Sequence, residues 1–348
     1  MPMEFLVKAI PADFVVSECL AIPIGCTNGD HYLKLRKCGY RTLDAANLVA
    51  DEFGIERDQV GYAGLKDEDA ITEQYITLPH ALTSTELNRF NQAHSSGESF
   101  IFLDDCRCKG DRLSIGRLDG NSFRLVVRGL SSEIAEELKR VPRSFRLQVL
   151  NYYDSQRFGV PNGQKQNHRI GRALLEGDMQ LAFETLKDAA TPDSEKAFQF
   201  RGSPAEFFSD MDPRIRAFYC CAHASFEWNQ QLEKEVSVLA TTNTAVLKNE
   251  GIEFTIPRNN TDASALMLRK PSIEYETYRA NGQSIEQKIS ERPTVYSVRF
   301  RQIQIAPDEL NIGSWKCSLN LFLPSGAYAT NAVRQFLFAV QSRIVQKR

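Results

Sequence analysis

GYAGLKDEDAITEQYITL, residues 61–78, sets a glycine-framed loop carrying a lysine and three acids directly before a segment rich in β-branched and aromatic residues. The segment from Ile71 onward reads as a strand, and a loop feeding a strand is where a side chain can project into a cleft from a fixed support. Downstream, NSFRLVVR (121–128) alternates Phe123, Leu125 and Val127 with Arg124, Val126 and Arg128, a second strand with one apolar side. Upstream, Thr42 is placed to cap a helix whose apolar positions are Leu43, Ala46, Ala50 and Phe53, with Gly54 where a C-terminal cap glycine belongs. The acid-rich loop therefore sits among alternating helices and strands.

The period changes beyond residue 167. Residues 168–188 read as two short helices broken at Gly177, with Asp178 capping the second, and 213–238 as one long helix with Phe218, Cys221 or Ala222, Ser225, Trp228 or Asn229, Leu232 and Val236 on one face. Residues 240–295, with TTNT, PRNNTDAS and RANGQS, give only loop signals. Strand character returns in YSVRFRQIQIA and SWKCSLNLFL, before an amphipathic helix in TNAVRQFLFAVQSRIVQ. Mixed α/β pattern thus occupies both ends with helices between. Because the late strands need a sheet to join, the economical architecture is a discontinuous domain interrupted by an insertion.

Composition narrows the function classes. The 348 residues suffice for two domains, and 42% hydrophobic with 25% charged residues is an ordinary globular balance. The start, MPMEFLVKAIPADF, lacks the basic region and apolar run of a signal peptide, and no stretch nears the roughly 20 apolar residues of a membrane span, which points to a cytoplasmic protein without a membrane partner. The eight cysteines show no C-x-x-C and the five histidines no zinc-site spacing, so reduced thiols are expected and no metal site. Nothing demands more than a monomer. The net charge of −2 conceals an asymmetry: residues 107–172 hold 14 Lys and Arg against 6 Asp and Glu, a local +8. With Phe123, Phe145, Tyr152, Tyr153 and Phe158 among its arginines, that segment suits a phosphate-rich partner whose bases can stack, and equally a solvated basic face.

The loop itself resembles the active-site motif of the TruD family of RNA pseudouridine synthases, through Tyr62, Ala63, Gly64, Lys66, Asp67, Ala70, Thr72 and Gln74. Further blocks are similar to the same family in the same order: IPADFVVSE (Pro11, Asp13, Phe14, Val16, Glu18), GDHYLKLRKCGYRT (His31, Lys37, Thr42), GNSFRLVVR (Gly120, Asn121, Phe123, Leu125, Arg128), NYYDSQRFG (Asn151, Tyr152, Gln156, Arg157, Phe158, Gly159) and LPSGAYATNAVR. Residues 190–295 match little, apart from SFEWNQQL.

The resemblance implies an α+β fold: a pseudouridine synthase catalytic core with a mixed sheet and flanking helices at 1–159 and 297–348, interrupted by an α-rich family-specific domain at 160–296. It implies isomerisation of uridine to pseudouridine in tRNA, at uridine-13 of the D-arm of tRNA(Glu), without metal or organic cofactor. The family's indispensable aspartate falls on Asp67. A carboxylate fits the task, since it can trap positive character at C1′ as a retaining glycosidase does, or take a proton from the sugar. The glycines before it would let backbone approach a ribose. Lys66 is expected as its charge partner or as a phosphate contact. Asn121 and Phe123 would hydrogen-bond near the aspartate and stack on the target base, while Asn151, Gln156 and Arg157 would touch RNA from a cleft or serve a structural turn. Glu68 and Asp69 depart from the family's basic residues and oppose a nearby phosphate unless they point away or pair with arginines of 107–128. Two other readings compete. Asp67 and Asp69, about 7 Å apart on extended chain, could act as the carboxylate pair of a glycoside hydrolase, although neither tryptophan lies near them. A non-catalytic RNA-binding or tRNA-folding protein on the same fold is the third.

Overall fold

A computed structural model describes residues 5–23, 26–161, 163–239 and 243–346. In chain order the first elements are Leu6–Val7 (β1), Phe14–Cys19 (β2), Asp30–Cys38 (β3), Thr42–Phe53 (α1), Gly61–Tyr62 (β4), Ile71–Leu78 (β5), Ser84–His94 (α2), Phe100–Gly110 (β6), Gly120–Leu130 (β7), Ser132–Arg140 (α3) and Ser144–Leu150 (β8). Asn167–Glu176 (α4), Met179–Asp188 (α5), Pro192–Gln199 (α6), Pro204–Asp210 (α7) and Pro213–Leu239 (α8) follow, then Thr244–Asn249 (β9), Ile252–Pro257 (β10), Asn260–Arg269 (α9), Ser272–Asn281 (β11) and Ser284–Pro293 (β12). Val295–Pro307 (β13), Trp315–Pro324 (β14) and Ala329–Gln346 (α10) close the chain.

The strands at both ends join one sheet in the order β6-β3-β5-β2-β7-β14-β13-β8, with β1 on β7 and β4 on β5. β2 and β5 run parallel, while β3–β5, β3–β6, β2–β7, β7–β14 and β13–β14 are antiparallel. The mixed α+β architecture expected from the sequence is therefore the one observed, and the late strands β13 and β14 do find their sheet beside β7. Along β7, Phe123, Leu125 and Val127 are buried, whereas Ser122 and Arg124 are exposed. On the buried side, Leu33, Leu35, Ile76 and Leu78 pack with Ala45, Ala46, Val49 and Ala50 of α1 and Phe90 of α2. Leu43, expected on that apolar stripe, is 46% exposed. The stripe runs instead through Thr42, Ala45, Ala46, Val49 and Ala50.

The chain forms two compact units. One holds the described residues up to Arg146, Val298–Ala327 and those from Arg343; the other holds Leu147–Ser297 and Tyr328–Ser342. The divisions differ from the expected 159/160 and 296/297. Tyr152, Tyr153 and Phe158 share a core with Trp228, Leu232, Val236 and Phe254, and Asn331 and Gln335 of α10 donate to the Leu150 carbonyl at 3.2 and 2.9 Å, which draws 147–159 and most of α10 into the helix-rich unit. Its α4 and α5 are divided at Gly177 (φ 77°), with Asp178 accepting from Leu181 N–H at 2.9 Å. Residues 244–293, which gave only loop signals, form two hairpins (β9–β10 and β11–β12) and α9; Thr241 and Thr242 lie outside the described residues. No described helix is long and apolar enough to cross a membrane.

A pinned carboxylate loop as candidate active site

The loop between β4 and β5 is tied to its surroundings through its own backbone. Thr42, at the first turn of α1, accepts from Lys66 N–H (2.8 Å) and donates to Gln74 Oε1 (2.9 Å), while Gln74 Nε2 donates to the Gly64 carbonyl (3.1 Å). Thr42 is therefore not the N-cap of α1; Arg41 holds that position, and the threonine hydroxyl serves the loop instead. On the other side, the fully buried Lys37 of β3 donates to the carbonyls of Tyr40 (2.7 Å), Asp67 (2.9 Å) and Lys66 (3.4 Å). Burial lowers the Lys37 ammonium to about 8, opposed by the Asp67 charge. Gly39 N–H donates to the Glu68 carbonyl (3.0 Å), and Gly116 N–H to that of Ala63 (2.8 Å).

The glycines answer to the protein's own packing. A Cβ on Gly61 would stand 2.3 Å from Thr77 Oγ1 and 2.8 Å from the Leu113 carbonyl, and one on Gly64 3.1 Å from Lys66 Nζ. At Gly61 the close approach is to the neighbouring chain at Leu113 and Thr77, whereas at Gly64 the nearest atom is the end of the Lys66 side chain.

Lys66 also differs from expectation. Its side chain is buried and ion-paired to the buried Glu18 of β2 (2.6 Å), whose second oxygen accepts from Tyr75 N–H (3.1 Å). The cation on Asp67 is Lys8, a residue outside every motif quoted above. Lys8 sits in the left-handed region (φ 65°), with its ammonium 4.3 Å from the centre of the Phe14 ring. Phe14 meets Phe123 edge-on at 5.8 Å, and both rings are buried. Asp67 itself keeps 46% of its side chain exposed. Register pairs Glu18 with Asn121 and Val16 with Phe123, so Asn121 lies on the same side of β7 as Phe123. Asn121 Oδ1 is buried and accepts from no described residue. The arrangement thus gathers an accessible carboxylate, a cation on it, an aromatic pair and an unengaged amide oxygen. Phe123, expected to stack on a target base, is only 7% exposed and packs against Phe14, so the accessible polar groups of the set are the Asp67 carboxylate and its Lys8 partner.

The other expected site residues belong to the helix-rich unit. Asn151 is buried and engaged at both ends, donating to the Pro293 carbonyl (2.9 Å) and accepting from Arg292 (2.6 Å). Arg157 donates to Ser225 Oγ (3.2 Å) and lies over Phe218 (5.1 Å), and Gln156 is exposed. Glu68 and Asp69 are exposed and make no ion pair among the described residues, so the arginines of 107–128 do not neutralise them. Much of that basic segment is occupied internally: Arg112 pairs with Asp30, Arg117 with Asp111, and the buried Arg128 with Asp13 and Asp308.

A family model described as tRNA pseudouridine synthase D (TruD) matches residues 2–214. A Methanocaldococcus jannaschii protein described as a probable tRNA pseudouridine synthase D 2 is 23% identical over 400 aligned positions, covering 96% of this chain and 92% of that one. The tRNA pseudouridine synthase D of Aquifex aeolicus is 26% identical over 66% of each chain, and that of Geobacter sulfurreducens is 32% identical over 55% of this chain but 45% of its own length. A crystal structure of a Methanosarcina mazei protein, described as a putative tRNA pseudouridine synthase D, superposes with a TM-score of 0.62 over 97% of this chain and 94% of that one, at 18% identity; it shares the fold.

Proposed function

The chain belongs to the tRNA pseudouridine synthase D (TruD) family, and from that premise we propose that it isomerises uridine to pseudouridine in tRNA, at uridine-13 of the D-arm of tRNA(Glu), with Asp67 as the carboxylate of the reaction. The unit containing residues up to Arg146 and Val298–Ala327 is, on this reading, the catalytic one, and the helix-rich unit the insertion.

The reaction breaks N1–C1′, turns the base and joins C5 to C1′; N1 gains a proton and C5 loses one, so no atom is gained or lost overall. The observation that carries the reading is Asp67, accessible and held on Lys8 beside Phe14 and Phe123, in a loop pinned through the Lys66 amide and the Gly64, Lys66, Asp67 and Glu68 carbonyls. A carboxylate so fixed can attack C1′ or remove the C2′ proton without first reorganising. The Asn121 amide oxygen is left for a donor on the substrate. A stacked uridine must first leave its helix, at a cost of a few kcal/mol that contacts to the RNA backbone offset.

The test is pseudouridine mapping, by carbodiimide labelling and primer extension, on unmodified tRNA(Glu). Wild type is expected to give one new stop, at position 13, and Asp67→Asn none, while its tRNA affinity stays within about threefold because the carboxylate acts on the bond and not on the backbone. Product formed by Asp67→Asn overturns the residue assignment; a stop at a different uridine overturns the position.

A further inference from the structure

The face of the sheet turned away from Phe123 carries a second feature. Arg124 of β7 is directly opposite Asn320 of β14, and Asn320 is opposite Arg301 of β13. Arg299 is two residues before Arg301 and shares its face. Phe145 of β8 stacks on Phe300 of β13 (5.8 Å, 21°), which puts those two rings on one side and Arg146 on the other, with Arg299 and Arg301. All four arginines are exposed and none makes an ion pair among the described residues. Between them on β14, Phe322 is 47% exposed. Residues 122–126, 144–146, 299–301 and 318–322 contain no carboxylate at all.

Four neighbouring strands, about 4.8 Å apart, thus present four unneutralised guanidinium groups around one accessible aromatic ring. Gathering like charges without counter-charge is unfavourable in the free protein, in a chain whose net charge is −2. The arrangement has a polyanion as its natural complement. Guanidinium forks match phosphate oxygens, and an exposed phenyl ring supplies a stacking surface that any base can use. We propose that this open sheet face is a second RNA-binding surface: Arg124, Arg146, Arg299 and Arg301 hold the phosphates of a segment remote from the target uridine, and Phe322 stacks on one of its bases. This rests on the reading of the substrate as tRNA. Because Phe123 and Arg124 point to opposite sides of β7, the segment held here is a different one from that presented to Asp67.

The experiment measures equilibrium binding of a full-length unmodified tRNA transcript across a range of salt concentrations, for wild type, Arg299→Ala/Arg301→Ala and Phe322→Ala. The double variant is expected to bind about tenfold more weakly at low salt, with the slope of log K against log salt shallower by about 1 to 2, the counterion release of two phosphate contacts. Phe322→Ala is expected to lose about fivefold in affinity with its slope unchanged, since stacking releases no counterions. Wild-type affinity and slope in the double variant overturn the proposal, as does an equal slope change in Phe322→Ala. Binding is read without turnover, so a wild type that binds tRNA and yields no pseudouridine would sink the proposed function and leave this surface standing.

Discussion

At the residue scale, the sequence points to Asp67 and is silent about the cation that faces it. Lys8 is 59 residues away in the chain, in a segment with no periodic signal, and its left-handed backbone costs about 1–2 kcal/mol that only a tertiary role would offset. Lys66 is legible as a lysine beside the aspartate, but adjacency in a loop does not fix direction. Glu18, buried and in need of a positive partner, takes Lys66 inward. The consequence is a division of labour that can be measured. Lys8→Met is expected to lower kcat by about 10²-fold, the scale of losing one preorganised charged contact, with tRNA affinity within about threefold of wild type. Lys66→Met, by contrast, leaves Glu18 buried without its cation and is expected to lower thermal stability before any effect on turnover is seen. Steady-state kinetics and melting curves on the two variants separate the roles; a kcat in Lys8→Met equal to wild type removes Lys8 from the site.

At the scale of the element, legibility follows periodicity. β7, β13, β14 and α8 each have one apolar side and are visible as such, while β5, whose buried side includes Thr72 and Gln74, is visible only through its β-branched and aromatic residues. The β11–β12 hairpin is not, because most of both strands is exposed or half-exposed and no apolar alternation arises. The loop of residues 63–70 is a third case: its acids and glycines are visible, but its shape comes from Thr42, which reads as a helix cap, and from Gln74, which stands out only as a motif position and not by the bonds it makes. Those two groups, both buried, bracket the loop from α1 and β5. Thr42→Val keeps the side-chain shape and leaves Lys66 N–H and Gln74 Oε1 unbonded. It is expected to cost about 1–3 kcal/mol in denaturant unfolding. Since the element it loosens carries Asp67, pseudouridine formation should fall through kcat with KM for tRNA within about twofold. A KM effect alone would mean that the loop binds RNA and does not position the carboxylate.

On the scale of the whole molecule, the need of the late strands for a sheet is legible, and the residues that lock them into it are not. Arg128 of β7 is 3% exposed and donates to both oxygens of Asp13 (2.8 and 2.9 Å), just before β2, and to Asp308 (2.8 Å), in the turn between β13 and β14. Asp308 also accepts from the Gly129 and Leu310 amides and from Asn311. Burial pushes the Asp308 carboxyl up, but the hydrogen bonds from Asn311, Gly129, Leu310 and Arg128 together outweigh it and hold the group well below the usual carboxylate range. A carboxylate depressed in the folded state contributes stability that is present above its unfolded pKa of about 4 and is lost as pH falls toward the folded value. Arg128→Met strands two buried carboxylates, so at pH 7 it is expected to destabilise the unit by about 3–5 kcal/mol. Without the guanidinium the Asp308 carboxylate protonates more readily, and a neutral carboxyl is far cheaper to bury. The deficit of the variant should therefore shrink as pH falls through about 4, while wild type loses stability over the same window. Denaturant unfolding of both proteins at pH 7 and pH 4 measures this directly. A deficit equal at the two pH values would mean that Arg128 acts by packing its aliphatic stem and not by its charge.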